Sequence, residues 1–489
     1  MATAVAAGRV DLLALPTDLF IGGRWVPGSE GRRIDVGNPS TEERLTSVAD
    51  ATVADGLAAV DAASRALPAW SATPPRERGE ILRRAFELIT ARLAWFAELI
   101  ALENGKALPD ALGEMKYAAE FFRWFAEEAV RIDGNFTTAP SGANRMLVRY
   151  EPVGVSVLVT PWNFPAAMAT RKIGPALAAG CTCILKPASE TPLTAYAMAE
   201  VLKEAGVPDG VVNVVTTSKS GQVVGAMLSD LRVRKLSFTG STEVGRILLR
   251  EAAASVVNCS MELGGNAPFI VLDDANLEEA LDGAMVAKMR NGGEACTAAN
   301  RFLVQRGIYD RFAAGLATRM GAVVVGDGAE PATQCGPLVN AAAKQKVDAL
   351  VQEAVAGGAR ALVGGKPLDR RGHFYPPTVL VDVPPDATIL REEIFGPVAV
   401  LVPFDSVDEA VRAANDTEYG LVAYVFTSDL KQGLRIAERL ESGMVAVNRG
   451  LVSDPAAPFG GVKQSGIGRE GGHDGLLAFL EAKYIATSW

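Results

Sequence analysis

Short apolar runs rich in β-formers alternate with helical segments across residues 153–270, and few chain topologies satisfy that pattern. VGVSVLVT (153–160) is one such run, ended by Pro161, and CTCILKP (181–187) is a second, ended by Pro187. Between them ATRKIGPALAAG has the small and apolar residues of a helix and a terminal Gly180 to stop it. TPLTAYAMAEVLKEAGVPDG (191–210) is clearer: Thr191 can cap it, Pro192 suits the first turn, and Gly206 followed by Pro208 ends it. VVNVVTT (211–217), KLSFTG (235–240) and VNCSMELG (257–264) supply further strands, with helical segments at 220–229 and 242–254. Such alternation predicts a parallel sheet covered by helices, a doubly wound α/β architecture whose usual use is nucleotide binding.

A second alternating block runs from NAPFIVLDD (266–274) to about 465, with a helix at 276–291 and strands at FLVQ (302–305), PTVLVDV (377–383) and AYVFTS (423–428). Residues 50–131 are helix-rich and include the amphipathic stretch RERGEILRRAFELITARLAWFAELIALENG. The aromatics Trp95, Phe96, Phe121, Phe122, Trp124 and Phe125 there read as core or interface packing. A single core stops growing near roughly 250–300 residues, so a chain of 489 residues is expected to hold two or three domains.

Composition narrows the chemistry. Only His373 and His473 are present, neither beside a nucleophile motif, so a Ser-His-Asp hydrolase and a His-ligated zinc enzyme are poor fits, and no metal site is expected. A net charge of −9 argues against a nucleic-acid partner. No apolar run approaches the roughly 18 residues of a membrane span. The N-terminal stretch is interrupted by Arg9, Asp11 and Pro16 and lacks a signal-peptide apolar region. Cys181, Cys183, Cys259, Cys296 and Cys335 are odd in number and irregularly spaced, as in a protein of the reducing cytoplasm, with Cys181 and Cys183 read as buried structural thiols.

Within that frame Cys296, in the Gly-rich RNGGEACTAANR (290–301), and Glu262, in MELGGNAPF (261–269), have the parts for covalent catalysis: a nucleophile, and a base to activate it or a water. Glu294, two residues before the thiol, is a rival base by sequence distance alone.

Seven motifs together resemble the NAD(P)-dependent aldehyde dehydrogenase family: PWNFP (161–165), KPASETP (186–192), FTGSTEVG (238–245), MELGG (261–265), GEAC (293–296), EEIFGP (392–397) and PFGGVKQSGIGRE (458–470), opened by FIGGRWV (20–26). Within it the stretches 116–132, 163–181 and 448–472, and the ending LEAKYIATSW, resemble succinate-semialdehyde dehydrogenases. The resemblance implies a cofactor domain at 1–131 and 153–264, a catalytic domain at 265–465, and a β oligomerisation arm at 132–152 and 466–489 that makes a homodimer or homotetramer.

It also implies the roles. Cys296 is the nucleophile, Glu262 the base and Asn163 an oxyanion donor. Thr160, Trp162, Asn163, Lys186, Ser189, Gly240, Ser241, Gly245, Leu263, Glu393 and Phe395 fall where the family contacts its cofactor. Ser189 with Lys186 leans toward NADP over NAD, because a serine accepts the 2′-phosphate that a carboxylate there would repel, although the adjacent Glu190 can turn inward. Arg171, Arg290 and Ser453 match positions facing the carboxylate of a semialdehyde. Ala298 stands where some relatives carry a second cysteine, so a local disulfide switch is not expected there. The expected activity is oxidation of succinate semialdehyde to succinate. The alternatives are another aldehyde, such as glutarate semialdehyde, or a non-catalytic structural member of the fold.

Overall fold

The computed structural model describes residues 10–489. Residues 1–9, counted above in the cofactor domain and in the stretch without a secretion signal, lie outside the described residues.

The 153–270 block builds most of an eight-stranded sheet. Its spatial order is Gly466–Ile467, Asn258–Glu262, Val233–Thr239, Val155–Val159, Cys183–Lys186, Val212–Val214, Leu19–Ile21 and Arg24–Val26. The five middle strands are parallel, and the pairings at both edges are antiparallel, so the expected parallel sheet is mixed at its margins. Every residue of Val155–Val159 and Cys183–Lys186 is buried, because helices cover both faces; this is why the runs read as continuous rather than alternating. Cys181 and Cys183 are both fully buried thiols.

From Val155–Val159 the chain steps outward through Cys183–Lys186 and Val212–Val214, then returns to the other flank with Val233–Thr239. The carboxyl ends of these strands therefore border a topological switch point, the place where open α/β sheets bind ligands. Thr160, Lys186 and Gly240 stand at those ends.

The predicted stops hold: helix Pro165–Ala179 ends on Gly180 at φ 93° and helix Pro192–Ala205 on Gly206 at φ 97°. Thr191 does not cap the second helix with its side chain. Its free amides go to Glu103 from a distant helix, whose carboxyl accepts from Leu193 N at 2.8 Å and Thr194 N at 2.9 Å. The amphipathic stretch divides into helices Pro75–Thr90 and Leu93–Asn104. Phe96, Phe121, Phe122 and Phe125 enter the core, with Trp95 and Trp124 packed partly buried against it.

The second block forms a seven-stranded sheet in the order Arg360–Val363, Thr378–Val381, Val398–Phe404, Ala299–Gln305, Ala267–Val271, Val422–Phe426, Met444–Val447. Only Arg360–Val363 is antiparallel to its neighbour. A third sheet joins Leu480–Thr487, Arg145–Pro152 and Asn135–Thr138, all antiparallel. Of the 466–489 stretch, Gly466–Ile467 belongs instead to the edge of the first sheet, and helix Gly472–Leu477 packs against Pro165–Ala179. No helix among the described residues is long and apolar enough to cross a membrane.

Candidate active site

One cavity of about 270 Å³ opens at the switch point, between the two large sheets. Strand Asn258–Glu262 delivers Glu262 to its wall, and the 290–296 loop delivers Cys296. The loop comes close through two glycines: a Cβ on Gly265 would stand 2.6 Å from the Cys296 carbonyl, and one on Gly293 would stand 2.2 Å from the Gly396 carbonyl. Gly293 also follows Asn291 and Gly292 into the left-handed region, at φ 78°, 54° and 59° respectively.

Thiol and carboxyl perturb one another. Burial, then the Glu262 charge, pushes the Cys296 thiol well above its ordinary range, while Arg171 pulls it back. Burial also raises Glu262, against the opposing pull of Arg171. A raised carboxyl beside a thiol is suited to taking a proton near neutral pH. Glu262 is 2% exposed, and among the described residues its Oε1 meets no donor, leaving it an acceptor for a thiol or a water.

Asn163 lines the same cavity. Its Nδ2 donates to the Glu294 carbonyl at 3.0 Å, which orients the amide and leaves a second N–H unspent. Glu294, the rival base, points elsewhere: its carboxyl accepts from Val339 N at 3.1 Å beside a separate small cavity, and burial pushes it up to about 8.

Trp162, Gly240, Ser241, Leu263, Glu393 and Phe395 also line the central cavity. The features suit a dinucleotide. Ser241 caps helix Thr242–Ala253, accepting from Val244 N at 3.4 Å, so the amino end of that helix, whose free amides favour negative charge, meets the cavity. Thr239 Oγ1 is buried without a partner. Glu393 accepts from Gly265 N at 3.0 Å through one oxygen and borders the cavity with the other; burial pushes it up to about 7. Trp162 and Phe395 meet edge to face at 5.4 Å. Gly245 packs under Leu263, and Thr160 N is held by the Lys186 carbonyl at 3.1 Å.

Lys186 is 7% exposed, its amine pulled down by burial and held up by Glu190. Ser189 lies in a neighbouring groove and its hydroxyl donates to Glu190 at 3.2 Å, so the two residues weighed for cofactor choice are coupled to each other.

Arg290 and Ser453 line a second chamber of about 480 Å³, not the central cavity. Arg290 Nη1 donates to Ser453 Oγ at 3.3 Å, and its guanidinium lies over the Phe164 ring at 4.7 Å. Arg171 is placed differently from both. It lines neither cavity but lies buried, 1% exposed, in the wall behind Glu262, paired with Glu262 at 3.3 Å and Glu470 at 2.6 Å. Its charge also bears on Tyr117, whose phenol faces the Arg290 chamber.

Sequence reasoning missed the partners of that wall. Glu470 pairs with Arg171 and Lys172, and Ser237 bonds both Lys172 and Glu470. The signals were present, since Lys172 adjoins Arg171 and Glu470 ends the PFGGVKQSGIGRE motif. Met168, Thr239 and Lys346 also line the cavity, and Lys346 donates to the Glu393 backbone carbonyl at 2.8 Å. Among the described residues no group of three or more His, Cys, Asp or Glu side chains is placed to hold a metal.

Comparison with known proteins identifies the family. Residues 25–485 match the model of the aldehyde dehydrogenase family. The chain is 54% identical over 444 residues to a succinate-semialdehyde dehydrogenase of Paenarthrobacter nicotinovorans, covering 91% of this chain and 99% of that one. It is 48% identical to a glutarate-semialdehyde dehydrogenase of Pseudomonas putida, over 96% and 97% of the two chains. The crystal structure of an Escherichia coli NADP-dependent enzyme superposes with a TM-score of 0.97 at 47% identity, over 99% of this chain and 100% of the other. With its sheet topology, its paired thiol and carboxyl, and these relatives, the chain belongs to the aldehyde dehydrogenase family.

Proposed function

We propose that this protein oxidises succinate semialdehyde to succinate with NADP as the preferred cofactor, through an acyl group carried on Cys296. The observation that carries the reading is one cavity holding Cys296, Glu262 and Asn163, beside a chamber whose wall presents the Arg290 guanidinium. The relatives named for semialdehydes support the substrate class, and the NADP-dependent structure supports the cofactor.

Arg290 and Ser453 take the distal carboxylate, and Arg171, which lines neither cavity, bears on the site through its charge on Glu262, Tyr117 and Cys296. The Cys296 thiolate adds to the aldehyde carbon, and Glu262 accepts the thiol proton. The spare Asn163 N–H bonds the oxygen as it gains charge, a contribution of about 3–4 kcal/mol for one such donor. Lys186, Ser189, Ser241 and Glu393 hold the dinucleotide, with Thr160, Trp162, Gly240, Gly245, Leu263 and Phe395 shaping its bed. When bound, the nicotinamide supplies the hydride acceptor. Glu262, its first proton passed to solvent, then deprotonates a water that attacks the thioester and gives that proton to the departing thiolate, releasing succinate and restoring the thiol.

The same reading divides the chain into a cofactor domain, a catalytic domain and an arm, the arm now confined to the three strands of the small sheet. That arm exposes Phe136, Leu147, Tyr150, Tyr484 and Ile485, apolar surface that supports a homodimer or homotetramer. The five free cysteines support a cytoplasmic setting.

Steady-state turnover across a panel of aldehydes with both cofactors tests the proposal. Succinate semialdehyde with NADP is expected to give the highest kcat/KM. A higher value for glutarate semialdehyde would reassign the substrate, and equal values for an uncharged aldehyde of like length would refute the carboxylate anchor.

A further inference from the structure

The oxyanion donor sits in a loop that cannot hold itself. Phe164, at the amino end of helix Pro165–Ala179, offers no side-chain cap. Glu114 replaces it from a neighbouring helix, accepting from Ala166 N at 2.9 Å and Ala167 N at 3.2 Å. The other Glu114 oxygen pairs with Lys106, and both side chains are wholly buried. Lys106 Nζ in turn donates to the Asn163 backbone carbonyl at 2.7 Å and lies 3.9 Å over the Phe164 ring.

The nucleophile loop grips the same carbonyl from the other side. Asn291 Nδ2 donates at 3.0 Å to the Asn163 carbonyl and at 3.0 Å to the Glu294 carbonyl. The Asn163 amide donates to that same Glu294 carbonyl. Asn291 is itself fixed, its backbone N–H donating to Asp110 at 2.7 Å. The loop holding Asn163 and the loop holding Cys296 are thus stitched together two residues before the thiol, among buried side chains.

We infer that Lys106 and Asn291 are positioning residues that lock the Asn163 amide against the Cys296 loop, so that donor and nucleophile keep one geometry through both addition and thioester hydrolysis. The inference rests on the proposed oxyanion role of Asn163. Neither residue touches the reacting atoms; each acts on the Asn163 carbonyl, and misplacement of a catalytic group by about 1 Å costs on the order of 10²-fold in rate.

The test is a double-mutant cycle. Asn291 lies at φ 54°, which glycine adopts freely, so Asn291→Gly removes both side-chain bonds while keeping the N–H to Asp110. Asn291→Gly is expected to lower kcat by about 10- to 100-fold, with KM and cofactor affinity within about twofold. In an Asn163→Ala background the same change is expected to cost less than about twofold more. Lys106→Met with Glu114→Gln removes the second grip without leaving a buried charge, and the same non-additivity is expected of it. Equal losses with and without Asn163 would show a general structural role and overturn the inference, as would an unchanged kcat in either variant. If Asn163→Ala alone leaves turnover intact, the oxyanion reading itself fails; if Asn163→Ala is crippled and Asn291→Gly is harmless, only the clamp fails.

Discussion

Replacing Arg290 by Ala isolates the contribution of the distal carboxylate. Arg171 cannot serve, because its guanidinium also pairs with Glu262 and Glu470 and its removal would disturb the base. Among the described residues the Arg290 side chain donates only to the Ser453 hydroxyl, and it rests on the Phe164 and Tyr117 rings. A hydrogen bond to a charged group contributes roughly 1.5–3 kcal/mol, and a planar fork makes two. Arg290 is only partly buried and Ser453 remains in the variant, so the low end applies. A net loss of about 2–3 kcal/mol corresponds to about a 30- to 160-fold fall in kcat/KM. Loss of ring packing would affect any aldehyde, so the assay is the ratio of kcat/KM for succinate semialdehyde to that for butanal in the variant and the parent. The ratio is expected to fall by the stated factor. Parallel losses on both substrates would refute the assignment and make Arg290 a packing residue.

Glu262→Gln is expected to lower steady turnover by about 10²- to 10⁴-fold while retaining a slowed first-turnover burst of reduced cofactor, because without the Glu262 charge the thiol ionises more readily by itself; unchanged turnover would exclude Glu262 as base. In the same variant the pH midpoint for alkylation of Cys296 by iodoacetamide should fall, because the Glu262 charge helps hold the thiol up; an unchanged or higher midpoint would contradict that coupling. Glu294 is raised to about 8 by burial, so the folded state holds its proton where an unfolded carboxyl has lost it. Its contribution is fully present below the unfolded value near pH 4.5 and is lost as pH rises through 8. Glu294→Gln should therefore gain in Tm relative to the parent as pH climbs across that window, with turnover retained; a constant Tm difference would refute the raised carboxyl. Ser189→Glu should lower kcat/KM with NADP by at least about tenfold, roughly 1.4 kcal/mol, while sparing NAD, and an unmoved cofactor ratio would exclude this position.

Local chemistry made much of the fold readable. Val155–Val159 and Cys183–Lys186 announce themselves because a strand buried on both faces has no polar alternation to confuse it. Gly180 and Gly206 mark helix ends because the left-handed turn there excludes a Cβ at little cost only in glycine. What failed was long-range. Thr191 has the side chain of a cap, yet Glu103 takes the amides from across the domain. Arg171 reads as a substrate anchor, and nothing local shows Glu470 returning beside it from the far end of the chain. Glu294 is nearer the thiol in sequence than Glu262, but parallel strand geometry turns Glu262 into the cavity and the loop turns Glu294 away. Gly466–Ile467 could not be separated from the arm by composition, since an edge pairing two residues long leaves no pattern.

The most direct measurement is the intact and peptide mass of the Glu262→Gln variant, acid-quenched during turnover with succinate semialdehyde and NADP. A single succinyl increment is expected on the peptide carrying Cys296, at a stoichiometry matching the burst of reduced cofactor. Reduced cofactor accumulating while Cys296 stays unmodified would contradict it.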